Sequence, residues 1–296
     1  MTEVWILAHD LAGGSALAGS ARALGDRVVA ISLGAGVLPG ADLSLTVEVE
    51  AGVPVEAYAK AVAELLAARR AKLVLADATT TGRLLAGQVA ARLGVSPINA
   101  VGITAGEPLQ VTRQVYGGLA VAAEEIVADV AVLVVGRGVL PDNDAAGAGA
   151  SEAVQLSPEP GLRVAETRAK AGAVVDLASA KRVVGVGRGF AAEADLALAA
   201  AMAAKLEAEL ACSRPIAEGV NWMPAERYLG VSGATIKPEL YLAVGISGQV
   251  QHLVGVNHSK VLVAINSDKN APIFAHADFG VVGDLYQVLP ELTKSL

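Results

Sequence analysis

The chain of 296 residues has a single cysteine, Cys212. One thiol excludes an intrachain disulfide. The opening Met1-Thr2-Glu3-Val4-Trp5-Ile6-Leu7 lacks the basic region of an export signal, so the expected compartment is the reducing cytoplasm. Charge is also scarce. Only 18% of residues are charged against 53% hydrophobic, and acids outnumber bases for a net charge of −7. A deficit of positive charge argues against nucleic acid and anionic membrane as main partners. An anionic cofactor would then need local positive potential from arginines and helix N-termini. No apolar run approaches the roughly 18 residues that a membrane span needs. The most apolar central stretch, residues 127–135, contains Asp129 and stops at Gly136-Arg137. His9, His258 and His276 form no ligand spacing, no metal site is expected, and no Gly-x-Ser-x-Gly elbow occurs. The chain therefore reads as having no enzyme apparatus of its own.

What is present is a repeated alternation of strand-like and helix-like segments. In the first half, strands are expected at 4–8, 27–33, 43–49 and 72–76, and helices at 15–24, 55–69 and 83–93. Such alternation signals βα units around a mostly parallel sheet. From 109 to 135 the pattern becomes strand-like and breaks at Gly117-Gly118, an antiparallel extension. Residues 136–161 carry Pro141-Asp142-Asn143-Asp144, an alanine–glycine run, Pro158 and Pro160, which is turn and linker chemistry. The expected division is an N-terminal α/β domain over 1–160 and a doubly wound, Rossmann-like domain over 161–296. In the second half, strands are expected at 182–187, 209–213, 240–245 and 260–266, with helices at 191–206, 247–254 and 285–296.

Ligands of doubly wound sheets bind beyond the C-terminal strand ends. Arg188, Ser213, Arg214, Ser247 and Asn266 each follow an expected strand. The run Val184-Gly185-Val186-Gly187-Arg188-Gly189 offers glycines where a backbone could approach a phosphate. Taken alone, it reads better as a tight turn with a solvated arginine. In Cys212-Ser213-Arg214-Pro215 a hydroxyl and a guanidinium follow a strand end, suited to a phosphate or an electron-rich ring. The third run, Ser247-Gly248-Gln249-Val250-Gln251-His252, places hydrogen-bonding groups on one turn, with Ser247 as the expected N-cap. A protonated His252 there would stabilise a developing anion, although the same helix dipole would lower its pKa. Asn266 and Asp278 could each hold a ribityl or ribose hydroxyl, or cap a turn.

These residues carry a resemblance. Residues 240–252, 263–274 and 277–285 resemble the C-terminal half of electron-transfer flavoprotein alpha subunits, and the likeness is dense from about 181 to 296. Thr79-Thr80-Thr81-Gly82-Arg83 and Tyr116-Gly117-Gly118 look like landmarks of the same family. Cys212-Ser213-Arg214-Pro215 and the stretch from Trp222-Met223 to Tyr228 look most like a bacterial subgroup tied to anaerobic carnitine or acyl-CoA metabolism. The resemblance implies FAD across the C-terminal domain, with Arg188, Ser213 and Arg214 at the cofactor. It implies that residues 247–252 wrap the isoalloxazine edge and phosphates, with Asn266 and Asp278 near the adenosine end. Where many members have Val-Gly-Gln-Thr-Gly, this chain has Leu229-Gly230-Val231-Ser232-Gly233. Ser232 keeps a hydroxyl able to reach flavin N5, while Val231 loses an amide. The implied partners are an electron-transfer flavoprotein beta subunit, packed on the N-terminal domain, and an acyl-CoA dehydrogenase-type flavoenzyme.

Two other readings fit parts of the sequence. A nicotinamide-dependent oxidoreductase would explain the glycine turn at Gly185 and Gly187, but the fingerprint is broken and lacks its acidic residue. A nucleotide-binding module without redox chemistry would use Gly13-Gly14-Ser15 and residues 79–82, which are also consistent with plain turns and caps.

Overall fold

The computed structural model describes residues 3–136, 138–141, 147, 149–168, 177 and 179–296. Arg137, Asp142-Asn143-Asp144, Ala145, Ala146 and Ala148 of the expected linker lie outside the described residues. The chain divides into two compact units, Met1–Gln114 with Val121–Lys170, and Val115–Ala120 with Ala171–Leu296.

In the first unit β1 (Glu3–Ala8) leads through α1 (Leu11–Ala21) to β2 (Arg27–Leu33) and β3 (Leu43–Val47). α2 (Ala59–Ala68), β4 (Leu73–Asp77), α3 (Thr80–Arg92) and β5 (Pro97–Ala100) follow. Then come β6 (Gly102–Thr104), β7 (Leu109–Val115), β8 (Ala120–Ile126), β9 (Ala131–Val135) and β10 (Ala150–Ala153). Seven strands form a parallel sheet in the order β10-β3-β2-β1-β4-β9-β5. Its central strands are buried on both faces, so they appear in sequence as unbroken apolar runs such as Val28-Val29-Ala30-Ile31. β6, β7 and β8 make a separate three-stranded sheet, with β6 and β7 antiparallel. The antiparallel extension expected over 109–135 is therefore present in part: β7 pairs antiparallel with β6, while β9, at 131–135, joins the parallel sheet between β4 and β5.

The second unit contains β11 (Arg182–Val186), α4 (Leu196–Lys205), β12 (Glu209–Cys212) and β13 (Leu240–Val244). α5 (Val250–Leu253), β14 (Val261–Asn266), β15 (Phe279–Val282) and α6 (Leu285–Ser295) complete it. Its five strands are all parallel, in the order β12-β11-β13-β14-β15. Strand order reverses between β1 and β4 in the first sheet and between β11 and β13 in the second, where such folds open a crevice at the C-terminal strand ends. The α/β class and the parallel sheets agree with the sequence expectation. No helix among the described residues is long and apolar enough to cross a membrane.

Differences from expectation lie at element ends and in short strands that were not expected, β5, β10 and β15 among them. α1 begins at Leu11, not Ser15, because Asp10 caps it: its Oδ1 accepts from the Gly13 N–H at 2.7 Å. α3 begins at Thr80, not Arg83, because Thr79 Oγ1 accepts from the Gly82 N–H at 3.0 Å. β10 arises within the stretch expected to be linker and pairs with β3 at the sheet edge.

Candidate functional site

The second sheet brings most of the expected site residues to one end. Gly187-Arg188-Gly189 follow β11, Ser213 and Arg214 follow β12, residues 245–249 follow β13, and Asn266 closes β14. The turns after β11 and β13 touch backbone to backbone. The Gly187 N–H donates to the Val244 carbonyl at 2.9 Å and the Gly189 N–H to the Gly245 carbonyl at 3.0 Å. A Cβ on Gly189 would lie 2.6 Å from Gly245 Cα. These glycines thus permit loop-on-loop packing. Gly185 has a third role: a Cβ there would lie 2.7 Å from Cε2 and Cζ of Tyr241. In the run that read as a phosphate-binding fingerprint, the glycines are spaced by internal packing.

Arg188 is exposed and makes no hydrogen bond or ion pair among the described residues. Ser213 is buried, and its N–H donates to the Val186 carbonyl at 2.9 Å. Arg214 is exposed, with Nε donating to Glu218 Oε2 at 2.6 Å one turn on; that carboxylate holds the guanidinium's pKa up. An open cavity of about 560 Å³ lies beside this turn, lined by Glu218, Trp222 and Met223 among others. Asn266 braces the loops: its Nδ2 donates to the Ile246 carbonyl at 2.8 Å, and its Oδ1 accepts from the Asp268 N–H at 2.9 Å.

The turn after β13 differs from expectation. The helix runs over Val250–Leu253 only, and Gln249, not Ser247, stands at its N-cap position. The cause is Gly248, whose φ of 83° breaks the helical path. Ser247 is exposed, and its carbonyl instead accepts the Ile273 N–H at 2.9 Å. Gly230 and Val231 pack on the same short helix. The Val231 N–H donates to the Gln251 carbonyl at 2.9 Å, and a Cβ on Gly230 would lie 2.6 Å from that oxygen. The Ser232 hydroxyl lies 3.0 Å from the Tyr228 hydroxyl.

His252 is buried, at 8% exposure. Its Nε2 lies 2.8 Å from the hydroxyl of Tyr241, and its Nδ1 is buried without a hydrogen bond. Burial pushes the imidazole down to about 4, opposed by a contact with the Leu229 backbone that falls short of a hydrogen bond. The ring is therefore neutral at neutral pH, its pKa lowered as expected, with burial as the cause in place of a helix dipole.

Asp278 is not brought to this cluster. It precedes β15, and its Oδ2 accepts from the Leu262 N–H at 2.8 Å at the start of β14, the opposite end of the sheet. Asp284 occupies the C-terminal end instead, after β15, and caps α6 by accepting from the Tyr286 N–H at 3.0 Å. Sequence reasoning passed over Asp284, although an acid just before a helical run is a capping signal. It also passed over Tyr241, whose partner is eleven residues away.

In the first unit, His9, Asp10 and Asp77 converge at the crevice between β1 and β4, each offering a ligand atom within 4.8 Å of the others. His9 Nε2 lies 2.9 Å from Thr79 Oγ1 and 3.3 Å from Asp77 Oδ2. Both carboxylates already serve the fold: Asp10 caps α1 and Asp77 accepts from the Thr79 hydroxyl at 2.6 Å. Gly13, Gly14 and residues 79–82 are thus the capped starts of two helices, as their turn reading allowed. Thr79→Ala removes the α3 cap together with the bonds to Asp77 and His9. It is expected to lower stability by about 1–2 kcal/mol in urea unfolding.

Two protein-family models match the chain. The electron transfer flavoprotein domain matches residues 14–160 and the electron transfer flavoprotein FAD-binding domain residues 176–257. Among curated relatives, YdiR of Escherichia coli strain K12, which carries the name of an electron transfer flavoprotein subunit, is 42% identical over 100% of this chain and 98% of its own length. Protein FixB of Salmonella paratyphi A is 40% identical over the same shares of the two chains. Protein FixB of Escherichia coli O81 is 44% identical over 82% of this chain and 79% of its own.

Proposed function

The chain belongs to the electron-transfer flavoprotein alpha-subunit family, a group of FAD-binding electron carriers, and from that premise we propose a specific arrangement for its work. It pairs with a beta subunit through the domain spanning 1–160 and holds FAD on the domain spanning 161–296. It relays electrons in the cytoplasm between an acyl-CoA dehydrogenase-type flavoenzyme and a second redox partner. FAD bound there supplies the electron-accepting chemistry.

One observation carries the site. A buried histidine with one unpartnered ring nitrogen stands among loops gathered at the end of a parallel sheet. An unpaired buried polar atom is rare in a finished fold and fits a ligand that completes it. The unengaged Arg188 adds positive charge in a chain of net charge −7, as an anionic cofactor requires. The residues proposed to hold FAD are Arg188, Ser213, Arg214, Gly230, Ser232, Ser247, Gly248, Gln249, Val250, Gln251, His252 and Asn266. Asp284 takes the place at the C-terminal strand end that Asp278 does not occupy. Arg188 neutralises phosphate, Arg214 offers charge to the ring, and the backbone of 247–251 shapes the wall.

The test is a visible absorption spectrum of the purified chain, alone and with its beta subunit. Flavin bands at one FAD per chain support the reading, and a colourless protein that refuses added FAD overturns it. Arg188→Ala should weaken FAD binding by roughly 10- to 100-fold in equilibrium dialysis, the scale of one charged hydrogen bond.

A further inference from the structure

We propose that Tyr241 is a positioning residue of the flavin site: its phenol donates to Nε2 of His252 and so fixes the imidazole as the neutral tautomer that presents an Nδ1–H donor. The inference rests on the reading of this site as the FAD cradle.

The Tyr241 ring is fully buried on β13, packed in the core cluster that includes Leu229, Ile236 and Leu253. Its hydroxyl has one hydrogen-bond partner among the described residues, His252 Nε2 at 2.8 Å. A neutral imidazole carries one N–H and one bare nitrogen, and the partner of one decides the state of the other. If the imidazole donated from Nε2, two groups would be stranded in the interior: the phenolic hydrogen and the bare Nδ1. If the phenol donates, only Nδ1–H is left, so this arrangement leaves one unmade bond instead of two. The remaining donor is the buried, unpartnered atom already noted.

The surroundings hold this geometry. The two rings lie 6.1 Å apart and tilted by 39°. Gly185, on the neighbouring strand, leaves the space that the Tyr241 ring fills. The Val231 N–H on the Gln251 carbonyl ties the residue before His252 to the 229–234 turn. A donor held in one tautomer by a rigid partner meets developing negative charge without reorganising. The imidazole thereby serves the flavin edge without carrying a charge of its own.

The experiment uses the full chain labelled with ¹⁵N-histidine, with and without FAD, read by long-range proton–nitrogen correlation of the rings. Only four histidines are present, and the spectrum of His252→Gln identifies the signals of interest. The expected native spectrum at neutral pH shows Nδ1 protonated and Nε2 bare. In Tyr241→Phe at least half of the population should move to the Nε2–H form, and the first-electron potential of the FAD-loaded chain should fall. A native ring protonated on Nε2 or on both nitrogens overturns the proposal, as does a Tyr241→Phe spectrum with the tautomer unchanged. If Tyr241→Phe does not fold, the native spectrum alone decides. A chain with the expected tautomer that refuses FAD ends the flavin role of the pair, whereas one that takes FAD with Nε2 protonated retains the flavin reading and ends this one.

Discussion

Replacing Gly248 by alanine is expected to cost about 3–4 kcal/mol of stability and to abolish tight FAD binding. Two separate penalties add. The backbone at this position has φ of 83°, in the left-handed region that L side chains rarely adopt. The new Cβ would also lie 2.7 Å from Ile273 Cβ and closer still to the backbone N and Cα of that residue. Ile273 cannot yield cheaply, since it is fully buried and its N–H bonds to the Ser247 carbonyl. Relief would have to come from the loop after β13, which is the proposed cofactor wall. Gly94→Ala separates the two penalties, because Gly94 has a comparable φ of 74° with nothing within 4 Å. It should lose only about 1 kcal/mol. Urea unfolding of both variants and FAD titration of Gly248→Ala give the comparison. A Gly248→Ala protein as stable as Gly94→Ala would show that the loop is more plastic than its packing implies.

The same position illustrates how far sequence could carry the reading. Segments whose fate is set locally were legible. The seven-residue strand β2 was expected at 27–33 and is observed at Arg27–Leu33, because its unbroken apolar run Val28-Val29-Ala30-Ile31, buried on both faces, leaves no ambiguity of period. The strand ends of the second sheet followed for the same reason, and with them the gathering of Arg188, Ser213, Arg214 and Asn266. Signals that depend on a distant partner were not legible. Ser247 has the composition of an N-cap, yet Gly248 is held in the left-handed region by its packing on Ile273, twenty-five residues later, and the helix starts beyond it. β15 is only four residues long, Phe279-Gly280-Val281-Val282, with a glycine inside it, too short to set a hydrophobic period. Missing that strand misplaced the end of the sheet to which Asp278 belongs. The cluster of His9, Asp10 and Asp77 forms only because β1 and β4 are neighbours, a pairing that spacing along the chain does not encode.

Lowering the pH from 7 toward 4 is expected to remove roughly 3 kcal/mol of stability through His252 alone. In the unfolded chain this imidazole takes up a proton near its ordinary value of 6.5, while in the fold burial holds it down to about 4. Between those two values the unfolded state binds more protons than the folded one, so stability falls as pH falls across that window and levels off below it. Above 6.5 both states are neutral and the contribution is flat. His258 is also lowered, by burial and by Lys237, and acts in the same direction. Comparison with a variant that keeps His258 therefore isolates His252. His252→Gln retains a polar side chain but cannot titrate. Its urea-unfolding free energy should decline less steeply between pH 6.5 and 4 than that of the native chain, by that same roughly 3 kcal/mol. Equal slopes would mean that the buried ring accepts a proton in place, and the neutral donor inferred for the flavin site would fail with it. A flatter slope in the variant would place the titration of His252 well below neutrality. The flavin potential near pH 7 would then carry no proton uptake by this ring, and its contribution would be that of a fixed dipole.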